Sequence, residues 1–468
     1  MTGFGTLNTA ATGLSAAQRA MDITGQNIVN ANTAGYSRQR VLLSSAGPAT
    51  SATFFSGQQA TFGGVGVSDI TRIRDSFLEA TRAAAGSRQE TLTAQASALA
   101  GAQQLLAEPG DNGLQRSMDE FFNSWHDVAT NVSPDNTAPG AVTIENGVKV
   151  AGQLHAIAFG LSAQWSVTHD ALADTVSQAN QAASDLAVLN GKIQEGVVAG
   201  RPVNELLDSR DQLVRRLSEL VGGVALPAED GQVQVSVGGV SVVAGTKAQT
   251  LTLGGAGDRA AATTDPPTLY WGTTPVPVES GRALGQLASL RSDLPTLLAA
   301  VDQVAVSLRD AVNAVHATGF TLAGAPGGLF FDGTDALTLS VVPTAAAGLA
   351  VASAAGTVDG SVAAAIGDLS DERNASAVLG GPGPSARWRE LTTALGVQLK
   401  SLETASSVQR SVVRAADDAV EANAGVSLDE EMGNMILFQR SYQASARVIT
   451  TVDEMLDTLI NRTGTVGR

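Results

Sequence analysis

The most regular hydrophobic pattern in the chain lies at its two ends. Near the N-terminus, large apolar residues recur every seven positions, and a small residue or threonine follows each of them three positions later. The large residues are Leu7, Leu14, Met21 and Ile28, and the residues that follow them are Ala10, Ala17, Thr24 and Ala31. A seven-residue repeat of this kind predicts an amphipathic helix that pairs with another helix as in a coiled coil.

The C-terminal end carries the same repeat with larger side chains. Its two interleaved sets are Met435, Tyr442, Ile449 and Leu456, and Phe438, Ser445, Val452 and Leu459. The acidic run 429–431 precedes them, where negative charge suits the positive end of a helix dipole. One such helix could equally pack on a local core. Two of them in one chain favour pairing with each other or with neighbouring subunits.

The N-terminal helix is predicted to end in a turn. Asn30, Asn32 and Gly35 lie in a stretch whose residue types favour turns, and Gly35 suits a left-handed cap. Tyr36 closes this turn, and Tyr442 lies in the C-terminal repeat. An amphipathic ring at a packing surface fits an assembly contact better than catalysis. We therefore expect residues 30–36 to extend the N-terminal assembly interface.

The middle of the chain alternates between helical and strand-like periodicity. Helices are predicted over 92–106, 114–129, 142–190 and 283–317, and another opens at Pro202 with Asn204 as its N-cap. Valines alternate with polar residues over 233–237, and Gly238-Gly239 supplies a two-residue hairpin turn. The predicted fold is mainly α with β-rich insertions: paired coiled-coil-like terminal helices, a helical-bundle domain and small outer β domains.

Three domains follow from this order. Residues 1–60 and 428–468 form the predicted terminal helical domain. Residues 61–224, 282–318 and 386–427 form the predicted helical body, and residues 225–281 and 319–385 form the β-rich outer insertions.

Composition removes several classes of function. The 468 residues include 29 Lys and Arg against 45 Asp and Glu, a net charge of −16. Such a charge argues against a nucleic-acid partner and a polybasic membrane anchor. Because cysteine is absent, disulfides, thiol catalysis and cysteine-ligated metals are excluded. We also expect no membrane insertion and no ordinary secretory signal, since neither a long apolar run nor a basic, apolar leader is present.

No pattern in the chain predicts an active site. The four histidines at 126, 155, 169 and 316 are isolated, with no second ligand at helical spacing. The glycine-rich segments lack the spacing of dinucleotide or phosphate loops, and no serine occupies a nucleophile elbow. We expect no catalytic residue, no metal, no cofactor and no enzymatic activity.

The two ends and three internal segments resemble known proteins. Residues 27–36 resemble the N-terminal signature of bacterial flagellar rod, hook and hook-associated proteins, and Ser37-Arg38-Gln39 resembles its hook-associated protein 1 version. Residues 425–432 and 439–449 are similar to the C-terminal signature. The internal segments that agree are residues 121–125, 204–213 and 316–324. Because these occur in the family's order along nearly the whole chain, the chain resembles the hook-associated protein 1 family.

The resemblance implies an extracellular structural adaptor between the flagellar hook and filament. Such a protein assembles with copies of itself into a helical tube, its terminal helices inside and its β domains outside. Its implied partners are the hook protein, the second hook–filament junction protein, a cytoplasmic export chaperone on the C-terminal helix, and the flagellar type III export apparatus. Before export it would be in the cytoplasm, and its ends would be disordered until assembly.

Three alternatives stay open. The first is another flagellar axial protein, either hook protein or the second junction protein. The second is a surface enzyme or binding module on an axial scaffold, housed in residues 225–281 or 319–385. The third is a cytoplasmic coiled-coil scaffold, which its location in the cell would distinguish.

Overall fold

The terminal helices of the chain pair with each other. The computed structural model describes residues 3–46, 63–108, 110 and 113–458. Helix α1 (Gly3–Asn30) packs against helix α11 (Leu428–Asp457). Gly13 approaches Ser445, and Gly25 approaches Met435, so the two helices run antiparallel. The prediction that the ends pair is therefore met within one chain.

A β-hairpin follows α1 and packs against it. Strand β1 (Gln39–Ala46) pairs with β2 (Gly64–Arg72) antiparallel, from Gln39 opposite Arg72 to Ala46 opposite Gly64. The pairing places β2 with the terminal helices rather than with the body, to which the sequence analysis assigned residues from 61 onward. The two strands of the hairpin therefore lie on either side of the predicted boundary.

Long helices form the body. They are α2 (Ser76–Leu106), α3 (Leu114–Thr130), α4 (Ala138–Val198), α5 (Asn204–Val221), α6 (Arg282–Ala288), α7 (Leu294–His316) and α10 (Pro384–Ala424). Residues 142–190 belong to one helix, α4, and the helix predicted over 283–317 is interrupted by a π-helical turn at Ser289–Asp293. Trp165 of α4 donates a 3.0 Å hydrogen bond to the Leu290 carbonyl in that turn.

The N-cap predicted at Asn204 is wrong. Val203 is the N-cap residue of α5, and no side chain caps the helix there. The Asn204 amide instead donates to Gln39 Oε1 and to the Ile70 carbonyl, at 3.0 and 2.9 Å. Asn204 therefore ties α5 to the β1–β2 hairpin, a contact that helix-capping preferences do not reveal.

The first β-rich insertion packs on α4. Strands β3 (Val224–Pro227), β4 (Val233–Val237), β5 (Val240–Ala244) and β6 (Lys247–Ala248) form one antiparallel sheet, and β7 (Leu251–Gly254), β8 (Thr268–Trp271) and β9 (Thr274–Pro275) another. The predicted hairpin turn is confirmed, since Gly238 and Gly239 both have positive φ, at 53° and 80°. Asn190 of α4 holds the sheet by bonds to both backbone groups of Val233.

The second insertion contributes to the core of the body. It contains strands β10 (Phe320–Thr321), β11 (Phe331–Asp332), β12 (Ser340–Val341) and β13 (Ala350–Ala352), and helices α8 (Ser361–Gly367) and α9 (Glu372–Leu379). Phe330 and Phe331 are fully buried, and each ring centroid lies 5.5 Å from that of Phe121 in α3. This packing crosses the predicted boundary between the body and its outer insertions.

His316 connects the end of α7 to the second insertion through hydrogen bonds. Its ring is buried, with Nδ1 2.8 Å from the Gly328 carbonyl and Nε2 accepting a 2.9 Å bond from the Ala350 amide. Burial lowers the pKa of His316, partly offset by the bond to Gly328. The ring is therefore neutral and structural. Within the described ranges, no helix is both long and apolar enough to cross a bilayer.

Candidate assembly interface

Small residues let the terminal helices approach closely. Ala10, Ala17 and Thr24, three of the four small positions of the N-terminal repeat, are buried, and the fourth, Ala31, is half-buried. A methyl group built on Gly13 would lie 3.1 Å from Ser445 Oγ and 4.0 Å from Ser445 Cβ. The buried repeat positions on the α1 side are thus small side chains, which remove little apolar surface from water compared with leucine or isoleucine.

The large positions of the N-terminal repeat are only half-buried. These residues are Leu7, Leu14, Met21 and Ile28. The buried face of α1 instead includes Ala16, Ala20 and Ile23 alongside the small positions of the repeat. Because α1 packs against both α11 and the β1–β2 hairpin, its buried face is wider than one seam. The large positions of the predicted seam are therefore covered only in part within one chain.

The C-terminal repeat is likewise partly covered. Met435, Phe438, Tyr442, Ile449 and Leu456 are half-buried, and Val452 is buried. Leu459, also predicted to belong to this interface, lies outside the described residues. Within α11 as described, Glu431 and Val452 are the buried residues. Pairing within one chain therefore leaves much of the apolar surface of α11 in contact with water.

A second apolar stripe on α11 is exposed. We call Leu437, Ala444, Val448 and Met455 the outer stripe; their spacings of 7, 4 and 7 place them on one face of the helix. Leu437 and Met455 are each 58% exposed. Met432 and Ile436 are exposed on the other flank of the seam. An apolar stripe of this length on a helix is typical of a surface that another molecule covers.

A buried polar network joins the body-proximal ends of α1 and α11. Asn27 Nδ2 donates to Glu431 Oε2 at 3.0 Å and to the Gln39 carbonyl at 2.9 Å. Asn27 Oδ1 accepts from the Tyr36 hydroxyl at 2.8 Å and from the Gln39 amide at 3.0 Å. All four hydrogen-bonding positions of the Asn27 amide are thus used.

Arg38 completes this network from the other side of Glu431. Its guanidinium lies 2.7 Å from Glu431 Oε1 and 2.7 Å from Glu430 Oε2, and its backbone amide donates to the Ala424 carbonyl at the end of α10. Glu431 is 2% exposed. We call Asn27, Tyr36, Arg38, Gln39 and Glu431 the polar hub. The hub corrects the sequence interpretation of Glu431, which is a buried bonding partner rather than solely a dipole charge.

Tyr36 belongs to the hub rather than to an exposed contact surface. Its ring is half-buried and its hydroxyl donates to Asn27. Burial, followed by the charge of Asp208, raises the pKa of Tyr36 to about 12. The hydroxyl therefore keeps its proton, as its role as a donor requires.

The remaining predicted N-terminal residues form the turn before the hub. Asn30 accepts a bond from Thr33, Asn32 is exposed, and Gly35 has a φ of 81°. The left-handed conformation predicted at Gly35 is confirmed, but Gly35 lies in the turn five residues after the end of α1 rather than at its cap. A methyl group at Gly35 would also collide with Gln212, whose amide donates to the Ala34 carbonyl at 3.0 Å.

A cluster of arginines and aspartates ties the hairpin to α5. Arg72 at the end of β2 lies 2.6 Å from Asp208 and 2.9 Å from Asp211. Arg74 and Arg210 also contact Asp211. Burial, followed by repulsion from Arg72 and Arg74, lowers the pKa of Arg210 to about 10. Asp208 also accepts from the Ser37 amide, which links this cluster to the polar hub.

Local sequence patterns do not reveal these polar contacts, although they do single out the segments that carry them. Asn27, Arg38 and Glu431 all lie in the terminal signatures, and Asp208 and Asp211 lie in the internal segment 204–213. Their partners are separated by up to 404 positions, so no local spacing connects them. In the described part of the chain, no group of three His, Asp or Glu residues is arranged to hold a metal ion.

Comparison with protein families divides the chain into three matched parts. Residues 99–331 match the family described as flagellar hook-associated protein FlgK helical domain. Residues 7–36 match the flagella basal body rod protein family, and residues 421–462 match the flagellar basal body rod FlgEFG protein C-terminal family. The two rod matches cover most of α1 and all of α11.

The chain is similar over nearly its whole length to proteins named flagellar hook-associated protein 1. The chain is 30% identical to flagellar hook-associated protein 1 of Bacillus subtilis over 511 aligned residues, covering 99% of both chains. It is 27% identical to flagellar hook-associated protein 1 of Salmonella typhimurium, over 97% of this chain and 99% of the relative. Among solved structures, its fold is similar to that of the flagellar hook junction protein FlgK from Burkholderia pseudomallei. That match has a TM-score of 0.59 and 16% identity, and covers 74% of this chain and 99% of the other.

Proposed function

The chain belongs to the flagellar hook-associated protein 1 family of structural flagellar proteins, and we propose that it is the adaptor that joins hook to filament by polymerising through its terminal helices. The observation that carries the assembly role is the exposed outer stripe of α11. The stripe lies on the helix that already uses a neighbouring face to pair with α1. A tube built from such pairs would cover it with the next copy.

Head-to-tail contact explains how a ring or tube results. In this arrangement the outer stripe of one copy packs on a different surface of the next copy, and the contact is heterologous. Heterologous contacts propagate into rings or helical arrays according to the rotation between copies. In such a tube, the α1–α11 pair faces the channel and the helical body surrounds it.

The further partners belong to this proposal. The hook protein would contact one end of the array, and the second hook–filament junction protein would contact the other. The protein would reach the outside of the cell through the type III export apparatus of the flagellum. Before export, a cytoplasmic chaperone would bind the C-terminal repeat. Since Met435, Phe438 and Tyr442 lie half-buried against α1, chaperone binding requires α11 to leave α1.

The alternatives have less support. Another axial protein would not be expected to match the FlgK helical domain or to align along its whole length with hook-associated protein 1. A separate binding module in residues 319–385 is not favoured, because Phe330 and Phe331 of this segment are buried in the core of the body. The rod-family matches at both ends favour an axial protein over a cytoplasmic scaffold.

A deletion strain tests the proposed function. Cells that lack this chain should build complete hooks but release filament subunits into the medium unpolymerised. The measurement is electron microscopy of the cell surface together with the filament protein content of the medium. Normal filaments on the deletion strain would exclude the adaptor role, and absence of hooks would favour the hook-protein alternative.

A further inference from the structure

We infer that Glu431 is a positioning residue that sets the register of α11 on α1. The polar hub holds the first turn of α11 at one place along α1, whereas the apolar seam between the helices leaves several alignments possible. This inference concerns the intramolecular pair seen in the structure. It does not depend on which flagellar partners the protein binds.

The apolar seam by itself is nearly degenerate. Both helices repeat every seven residues, so a shift of α11 by one heptad brings apolar residues opposite apolar residues again. The buried positions of the α1 repeat are small, namely Ala10, Ala17 and Thr24, and Ile23 is a large apolar side chain buried on the same helix. Small residues neither interlock with large partners nor clash when the alignment changes. Seam packing therefore discriminates weakly between the native register and one shifted by about 10 Å.

The polar hub discriminates strongly. In the native register, Glu431 accepts from Asn27 and from Arg38, and it is 2% exposed. A shifted α11 would move this carboxylate away from both donors and leave the Asn27 amide without one acceptor. An unpaired buried carboxylate costs several kcal/mol, whereas one mismatched alanine contact costs little. Buried polar groups have this register-setting role in coiled coils.

The connection to α10 limits the shift to one direction. Only Gly425, Val426 and Ser427 separate α10 from α11. Sliding α11 away from the body by one heptad requires the first turn of α11 to unwind, and that turn is the part held by Arg38 through Glu430 and Glu431. Sliding toward the body would compress the three-residue connection. Loss of the hub therefore favours the outward shift.

The absence of cysteine in the chain permits a direct test by cross-linking. One reporter, Ser445→Cys, is combined with a second cysteine in α1. Gly13→Cys reports the native register, because the Cβ positions are 4.0 Å apart, within the range of disulfides. Thr6→Cys reports the outward shift and Ala20→Cys the inward shift, since each lies seven residues from Gly13. Each pair is oxidised in the purified full-length chain, and the disulfide yield is measured.

Three backgrounds distinguish positioning from general stability. The chain with an unaltered hub should cross-link through position 13. Glu431→Met, which keeps the volume but removes the acceptors, should raise the ratio of the position 6 to the position 13 cross-link at least tenfold. Glu431→Gln keeps one acceptor oxygen, which serves Asn27 or Arg38 but not both, so its ratio should lie between those of the unaltered chain and of Glu431→Met. Glu454→Met, which removes an exposed carboxylate of the same helix, should leave the pattern unchanged.

Two results would overturn the inference. One is a Glu431→Met chain that still cross-links only through position 13. The other is loss of all three cross-links, which would mean that Glu431 holds the helices together without choosing their alignment. Incorporation into flagella is scored separately in cells. If the Glu431→Met chain keeps the native cross-link pattern but fails to enter flagella, the register inference is wrong, whereas the adaptor role is unaffected.

Discussion

Asn27 in α1 donates a 3.0 Å hydrogen bond from Nδ2 to Oε2 of Glu431 in α11, although 404 positions separate the two residues. This bond joins the two terminal signatures of the chain at the point where both helices meet the body. Through Arg38 it reaches Ala424 of α10, and through Ser37 it reaches Asp208 of α5. Polar contacts thus attach the terminal pair to the body, whereas along the rest of the pair few apolar side chains are buried between α1 and α11.

The core role of the second insertion predicts a large effect for Phe330→Ala. Phe330 is fully buried and its ring centroid lies 5.3 Å from that of Trp125. Removing it should lower the free energy of unfolding by about 3–5 kcal/mol. Leu329→Ala, at a neighbouring residue that is 51% exposed, should change it by less than about 1 kcal/mol. Urea denaturation measures both. Equal, small effects would show that residues 319–385 pack outside the core.

The arginine–aspartate cluster predicts that Asp211 stabilises the hairpin against α5. Asp211→Asn removes a charge that Arg72, Arg74 and Arg210 share. Because these side chains are largely buried and Asn keeps one acceptor oxygen, the loss should be about 1.5–3 kcal/mol. Hydrogen exchange should rise in β1 and β2 before it rises in α4. Asp185→Asn, an exposed carboxylate on α4, serves as the control. Unchanged exchange in the hairpin would contradict the tether.

Protonation of His316 predicts lower stability in acid. Burial lowers its pKa in the folded chain, whereas in the unfolded chain the pKa is near 6.5. The unfolded chain therefore takes up the proton first as pH falls, so this contribution is complete above about pH 6.5 and is lost as pH drops through the folded-state pKa. His316→Gln should flatten the dependence of unfolding free energy on pH, whereas His155→Gln, at an exposed ring, should not. A steeper dependence in His316→Gln would refute this assignment.

Sparse burial predicts that the ends of the isolated chain are sensitive to protease. Glu431 and Val452 are the buried residues within the described part of α11, and one buried valine contributes only about 1.5–3 kcal/mol. The pair should therefore open far more often than the body. Limited proteolysis, followed by mass spectrometry, should remove residues 1–60 and 428–468 first and leave a resistant fragment close to 76–424. Cleavage within α4 while both ends stay intact would contradict this prediction.

Local periodicity explains which parts of the fold were predictable. The terminal helices and the Gly238-Gly239 hairpin follow from patterns within a few residues, and the structure contains them. The hub does not follow from such patterns, because Asn27 and Glu431 are neighbours only after the chain has folded. Phe330 and Phe331 were assigned to an outer insertion because the sequence around them is rich in glycine and shows no helical period. Asn313 of α7 bonds to both of their backbones and draws them into the core.

The terminal repeat also makes a prediction that concerns assembly alone. Met435→Asp or Leu456→Asp places a charge in the α1–α11 seam and should abolish incorporation while leaving the body folded. Leu437→Asp and Met455→Asp alter the outer stripe, where both residues are 58% exposed. Unlike the seam variants, these two should leave the α1–α11 pair intact. Their thermal midpoints should stay within about 2 °C of the unaltered chain.

The most direct test of the account is the number of filaments in a deletion strain that expresses Leu437→Asp with Met455→Asp. The matched control is Val167→Asp on α4, which is 62% exposed and lies outside the terminal helices. Electron microscopy should show hooks without filaments for the double variant and normal filaments for the control. Normal filaments on cells that carry the double variant would contradict assembly through the outer stripe.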